Sequence, residues 1–314
     1  MSDPRSSDAG PSRRTFLALT AVGAAGTLLG CRGRTGYEPI GDVAEKPEPK
    51  VAPKGGGRVS RAPSLFVGHG SPMRAIDPEG GSDWVRWTAG FPKPKAILAI
   101  SAHFELAPIT IGATTPVPLI YDFYGFPDEL YAVKYAPPGA PALADDVEKR
   151  LRAIGEVERD PDRGLDHGSW APLVWMYRAA DVPVLTISMP TDRPERLIAI
   201  GRALAPLRDE GVAILGSGNV THNLRIRGGD DTPAWASDFD AWCTEALVKK
   251  DVDAFVTWRT KAPAPTMAHP STEHFNPLLV TLGAALDDKN ASPPRFPVTG
   301  FEGGSFSRRC VQFG

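Results

Sequence analysis

Cysteine is scarce in this chain: three residues in 314, at positions 31, 243 and 310. Cys243 and Cys310 alone make no disulfide framework in a chain this long, and no cysteine cluster offers a thiolate metal site or an iron–sulfur centre. Cys243 sits in a helical apolar pattern with Phe239, Trp242, Ala246 and Leu247, so it reads as a small buried residue, with a Cys243–Cys310 bridge as the alternative. Charge of one sign is also lacking. The formal net charge is −2 and no long basic run occurs beyond residue 62, which argues against nucleic acid as a partner. Phosphate loops are missing: neither GxxxxGK[ST] nor GxGxxG after a strand occurs, and Gly216-Ser217-Gly218 lacks the later glycine. GHGSP around Ser71 is not the GxSxG of a nucleophile elbow. Histidine is rare as well, with six residues, so where each one falls is informative.

The front of the chain reads as an address. In SRRTFLALTAVGAAGTLLGC, Arg13 and Arg14 precede an uncharged stretch from Phe16 to Gly30. That stretch is shorter than the ~20 apolar residues of a membrane-spanning helix and suits the apolar core of a secretory signal. The paired arginines with Phe16 and Leu17 resemble a twin-arginine export signal. Gly30-Cys31 resembles a lipoprotein processing site, with Cys31 as the lipidated first residue, although Leu29 is unusual in that pattern. An ordinary cleaved signal and an uncleaved anchor are the alternatives. Residues 32–62, rich in Pro, Gly, Lys and Glu, show no apolar periodicity and read as a flexible linker. The expectation is an exported protein of the periplasm or cell envelope. It touches the membrane only through this signal (1–31) or its lipid.

Residues 63–314 have ordinary globular composition, no second linker and no repeat, so one domain is expected. Short apolar runs at Ser64–Val67, Ala96–Ile100, Val182–Ile187 and Val212–Leu215 suit strands buried on both faces of a mostly parallel sheet. Helical patterns fall at 142–154, 193–208, 235–249 and 275–286, with a shorter run at 171–177. The fold class is α/β, a single domain with a mostly parallel central sheet covered by helices on both faces. Such sheets place their active site at the carboxyl ends of the strands. Three histidines fall there: His69 after the first run, His103 after the second and His222 after the fourth. His167 and His274 precede helical stretches, with Ser271 or Thr272 as the cap that sets His274 in a first helical turn. His269 gains nothing from its position and reads as a loop residue. Any single histidine is more often a packed or surface residue than a ligand; repeated strand-end placement is what raises these three.

Six segments in order carry a resemblance: GHGSP (68–72), SAHFE (101–105), YDFYGFPDELYAVKY (121–135), LDHGSWAPL (165–173), ILGSGNVTHNL (214–224) and HPSTEHFNPLL (269–279). Together they resemble the class III extradiol ring-cleavage dioxygenases, in the DOPA 4,5-dioxygenase-like branch, over residues 64–313. The resemblance implies a mononuclear non-haem centre with one Fe(II) or Zn(II) per chain. It implies His69, His103 and His274 as metal ligands and His222 as a fourth ligand or an acid/base group. His167 matches a further active-site histidine near the substrate. Glu273 beside His274 leaves a carboxylate role open, and Phe104 stands where Trp is expected. The implied partners are a small catecholic aromatic and O2. The implied reaction opens the ring beside the diol, with Tyr121 to Pro127 and Trp170 lining the pocket or simply packing the core. Two other readings compete: a Zn-dependent hydrolase, since three imidazoles with an open position can activate water, and a non-catalytic metal- or ligand-binding lipoprotein.

Overall fold

A sheet apolar on both faces must be covered on both. The computed structural model describes residues 61–226, 229, 231–288 and 292–314. The export segment and nearly all of the linker lie outside the described residues. The strands are β1 (Ser64–Gly68), β2 (Ala96–Glu105), β3 (Ile109–Ile111), β4 (Val157–Arg159), β5 (Val184–Met189), β6 (Val212–Gly218), β7 (Phe301–Glu302), β8 (Phe306–Ser307) and β9 (Val311–Phe313). Seven form one sheet in the order β4-β3-β5-β2-β6-β1-β9, while β7 and β8 make a small hairpin. Its centre, β5-β2-β6-β1, is parallel; β9 and β3 flank it antiparallel, and β4 runs parallel to β3.

The helices are α1 (Pro78–Thr88), α2 (Asp128–Tyr131), α3 (Pro141–Arg152), α4 (His167–Met176), α5 (Pro194–Leu204), α6 (Ala234–Lys249), α7 (Val252–Val256), α8 (Trp258–Lys261), α9 (Pro265–Ala268) and α10 (Asn276–Leu286). Alternate strand residues serve opposite layers, as the period of two requires. Leu98, Ile100, Leu185, Ile187 and Ile214 pack with α3, α5, α6 and α10. Ile97, Ala99, Ala213 and Leu215 pack with Trp84 and Trp87 of α1 and Trp170 and Leu173 of α4. No helix among the described residues is long and apolar enough to cross a membrane.

Several boundaries differ from the sequence reading, each for a local reason. β2 continues to Glu105, so His103 lies inside a strand rather than beyond one. Helix 193–208 ends at Leu204 and tightens into a 3-10 segment, Ala205–Glu210, where Pro206 lacks the N–H an α-helix needs. α4 starts four residues early because the Asp166 side chain caps it, accepting from the Ser169 N–H. α10 starts at Asn276 without a side-chain cap, so His274 sits in the turn before it. Ser271 instead donates its hydroxyl to Glu273 Oε1 at 2.9 Å. Cys243 and Cys310 are both buried and free. They belong to cores on opposite faces of the sheet, which no disulfide can span.

The α5–α10 contact depends on two glycines. A Cβ built at Gly201 would strike the carbonyl oxygen of Val280, and one at Gly283 the carbonyl oxygen of Ile198. Alanine favours an isolated helix over glycine by about 1 kcal/mol, but this overpacking costs about 1–3 kcal/mol. Gly283→Ala is therefore predicted to lower the denaturant midpoint; a raised midpoint would refute the close-packing account.

Candidate metal centre

His69 follows β1 directly. Its backbone N–H donates to the Gly218 carbonyl at 3.0 Å, pinning it to the end of β6. Its Nδ1 lies 2.9 Å from Ser217 Oγ, and the Ser217 hydroxyl donates its only proton to the Gly168 carbonyl. Ser217 can then only accept from His69, which must carry its proton on Nδ1 and present a bare Nε2.

His103 reaches the same point from inside β2. Against β5, the residue pairs Ile100–Ile187 and Glu105–Met189 enclose a register shift, so the strand bulges where His103 stands. Bulges re-aim side chains in this way beside active sites. His103 Nε2 comes within 3.4 Å of His69 Nε2, while its Nδ1 faces Asp122 Oδ2 at 3.3 Å. His274 arrives from the turn before α10. Its carbonyl accepts from the Asn219 N–H at 2.9 Å, just beyond β6, and a Cβ at Gly218 would collide with that carbonyl. His274 Nδ1 donates to Glu273 Oε1 at 3.0 Å. One ring nitrogen each of His69, His103 and His274 lies within 4.8 Å of the others.

Two further histidines adjoin this cluster. The His167 ring centroid is 4.1 Å from that of His103, and its Nδ1 is 2.8 Å from Asp122 Oδ1. His222 stacks on His274 with centroids 3.5 Å apart and planes 8° from parallel. His222 sits beside the three-imidazole cluster, grouped with Glu273 and His274. His269 stands apart, buried among Phe239, Trp258 and Phe275, its Nε2 2.7 Å from the Val220 carbonyl.

Burial, reinforced by the neighbouring imidazoles, holds His69 and His274 well below the ordinary histidine range. For His103, burial and then His167 outweigh Asp166, Asp122 and Glu273, bringing it down to about 4. Burial would raise Asp122, but its hydrogen bonds and charge interactions with His167 and His103 outweigh that and hold it at about 2. Neutral imidazoles are the form that binds a metal. The Nε2 atoms of His69 and His103 stand 3.4 Å apart in hydrogen-bond contact, and two nitrogens about 2.1 Å from one tetrahedral ion also stand about 3.4 Å apart. The donor set fits one imidazole-preferring divalent ion such as Fe(II) or Zn(II).

Residues 64–300 match the family described as the catalytic LigB subunit of aromatic ring-opening dioxygenase. The chain is 42% identical over 238 residues to a 4,5-DOPA dioxygenase extradiol of Beta vulgaris, covering 73% of this chain and 88% of that relative. A protein of the same description from Escherichia coli K12 is 36% identical over 271 residues, 81% of this chain and 96% of the relative. The crystal structure of an uncharacterized E. coli K12 protein superposes with a TM-score of 0.68 at 34% identity, over 81% of this chain and all of that one. Fold and site together define a metal-dependent ring-opening dioxygenase. The chain belongs to the class III extradiol dioxygenase family and is a ring-cleaving oxidoreductase.

The sequence reading missed Ser217 and the part played by Asp122. A serine at the buried end of an otherwise apolar strand was the available signal for Ser217. Asp122 was hidden in an aromatic segment that reads as pocket lining.

The metal-free protein carries a pH signature. Burial lowers His269 from 6.5 to about 4, and His69, His103 and His274 shift the same way. Below pH 6.5 the unfolded chain takes protons that the folded chain refuses, so stability is full above that value and is lost as pH falls toward 4. Thermal midpoints of chelator-treated protein should fall steadily from pH 7 to pH 5; a flat profile would contradict these assignments.

Proposed function

We propose that this enzyme opens the ring of a catecholic aromatic beside its diol with O2, at one Fe(II) held by His69, His103 and His274. The observation that carries this reading is the convergence of three imidazoles, each with an oxygen facing its Nδ1. Fe(II) would supply the redox chemistry between catecholate and O2, which redox-inert Zn(II) cannot. His167 is the proton acceptor for the catechol hydroxyl. Its Nδ1 is occupied by Asp122, leaving Nε2 as the basic atom, and imidazole takes and returns protons near neutrality. His222, stacked against His274, serves as a second acid/base group beside the metal. Phe123, edge-on to His167 with centroids 5.6 Å apart, walls the substrate side. DOPA, named for the beet and E. coli relatives, is the first substrate to try.

Protein purified and loaded with Fe(II) without oxygen should consume O2 with at least one catechol of a panel that includes DOPA, and Zn(II)-loaded protein should consume none. His167→Gln should keep its metal and lose about 10²–10⁴-fold in kcat. Silence of the Fe(II) form on every catechol would defeat the reading.

With this function we propose an envelope location, through residues 1–31 and a lipid on Cys31. Mass spectrometry of the mature N-terminus should find a lipidated Cys31; an intact Met1 would refute it.

A further inference from the structure

We infer that Asp122 is a positioning residue whose two carboxylate oxygens fix a metal ligand and the proton acceptor together; this rests on the roles proposed above for His103 and His167. Oδ1 accepts from both the ring Nδ1 of His167, at 2.8 Å, and its backbone N–H, at 3.0 Å. Oδ2 faces Nδ1 of His103 at 3.3 Å. A carboxylate only accepts: it holds Nδ1–H in His167 and offers an acceptor for Nδ1–H in His103, the tautomers in which both Nε2 atoms are bare. One of those nitrogens is needed by the metal and the other by the substrate proton.

Asp122 is itself exposed, but the segment is anchored on both sides of it. On one side, the Ile120 N–H donates to the Leu165 carbonyl at 2.8 Å, and Trp170 Nε1 donates to the Ile120 carbonyl at 3.0 Å. The Tyr121 hydroxyl donates to the Val133 carbonyl at 2.7 Å. On the other side, Phe123 packs against Tyr131 and Trp170, with centroids 5.2 and 6.1 Å away. The aromatic residues of YDFYGFP thus clamp Asp122 from both flanks, while Tyr124 at the tip is 92% exposed.

Asparagine at this position would keep the shape and break the logic. Its amide has one acceptor oxygen and one donor nitrogen. Only one of the two imidazoles could keep its Nδ1–H partner. The other would turn to Nε2–H and aim a proton into the metal site or at the substrate. Removing a partner of this kind from a ligating histidine costs about 10–100-fold in metal affinity. An aspartate that merely held the loop would change neither tautomer nor affinity once the chain was folded.

The test uses the full chain, stripped of metal, in three forms: wild type, Asp122→Asn and Ser217→Ala. Side-chain ¹⁵N shifts report the His167 tautomer, and calorimetry reports Zn(II) affinity. Wild type should show Nδ1–H at His167. Asp122→Asn should lose 10–100-fold in Zn(II) affinity where His103 is the ring that turns, or shift His167 toward Nε2–H where His167 is. Ser217→Ala, which removes the His69 partner and the bond to the Gly168 carbonyl but leaves Asp122 in place, should weaken Zn(II) and leave His167 on Nδ1–H. If Asp122→Asn does not fold, Asp122→Glu keeps two acceptor oxygens and should retain Nδ1–H. Wild-type His167 in the Nε2–H form overturns the inference. So does an Asp122→Asn protein that keeps both a Zn(II) affinity within twofold of wild type and an unchanged His167 tautomer. Oxygen uptake plays no part in these readouts, so failure on every catechol would defeat the ring-opening reading and leave this one standing.

Discussion

The structure depends on a restriction placed on imidazole protons. Three histidines can converge on one metal only if each directs a lone pair, not an N–H, at the shared point. Here an oxygen stands opposite each Nδ1. His69 faces a serine hydroxyl whose own proton is spent on Gly168, His103 faces Asp122, and His274 faces Glu273. The same device at His167 leaves a basic nitrogen beside the cluster. Burial then keeps His69, His103 and His274 neutral at physiological pH. A loss of either feature would fill the centre with protons and exclude the metal.

The sheet meets this restriction with little machinery. Parallel β1, β2 and β6 end at one edge, and backbone bonds from His69 to Gly218 and from Asn219 to His274 tie three chain segments within reach of one point. A bulge turns His103 inward without a loop. The acceptors come from elements that are themselves held: Ser217 in a central strand, Asp122 between aromatic clamps. Arg208 performs a similar service far from the site. Its buried guanidinium donates to the carbonyls of Ala62, Ala284 and Phe313, stitching the first and last described segments to α10.

Much of this was legible in the sequence. Apolar runs bounded by helical periodicity placed the four central strands and the main helices to within a few residues. Strand-end placement pointed to His69, His103 and His222, and the family resemblance added His274 and His167. What escaped had physical causes. His103 looked as if it followed a strand, because a bulge has no clear mark in one sequence. Pro206 and the Asp166 cap moved helix ends that periodicity alone could not fix. His269 read as a loop residue, yet it fills an aromatic core and contributes to acid sensitivity. Glu273 adjoins the histidine it serves, but the other acceptors were hardest to see, since Ser217 lies 148 residues from His69 and Asp122 lies 45 from His167.

X-ray absorption at the iron edge, on Fe(II)-loaded protein kept from oxygen, addresses the central claim most directly. The account predicts at least three imidazole nitrogens at about 2.1 Å, completed by light oxygen or nitrogen donors. A shell with two imidazoles or fewer, or with sulfur in it, would contradict it.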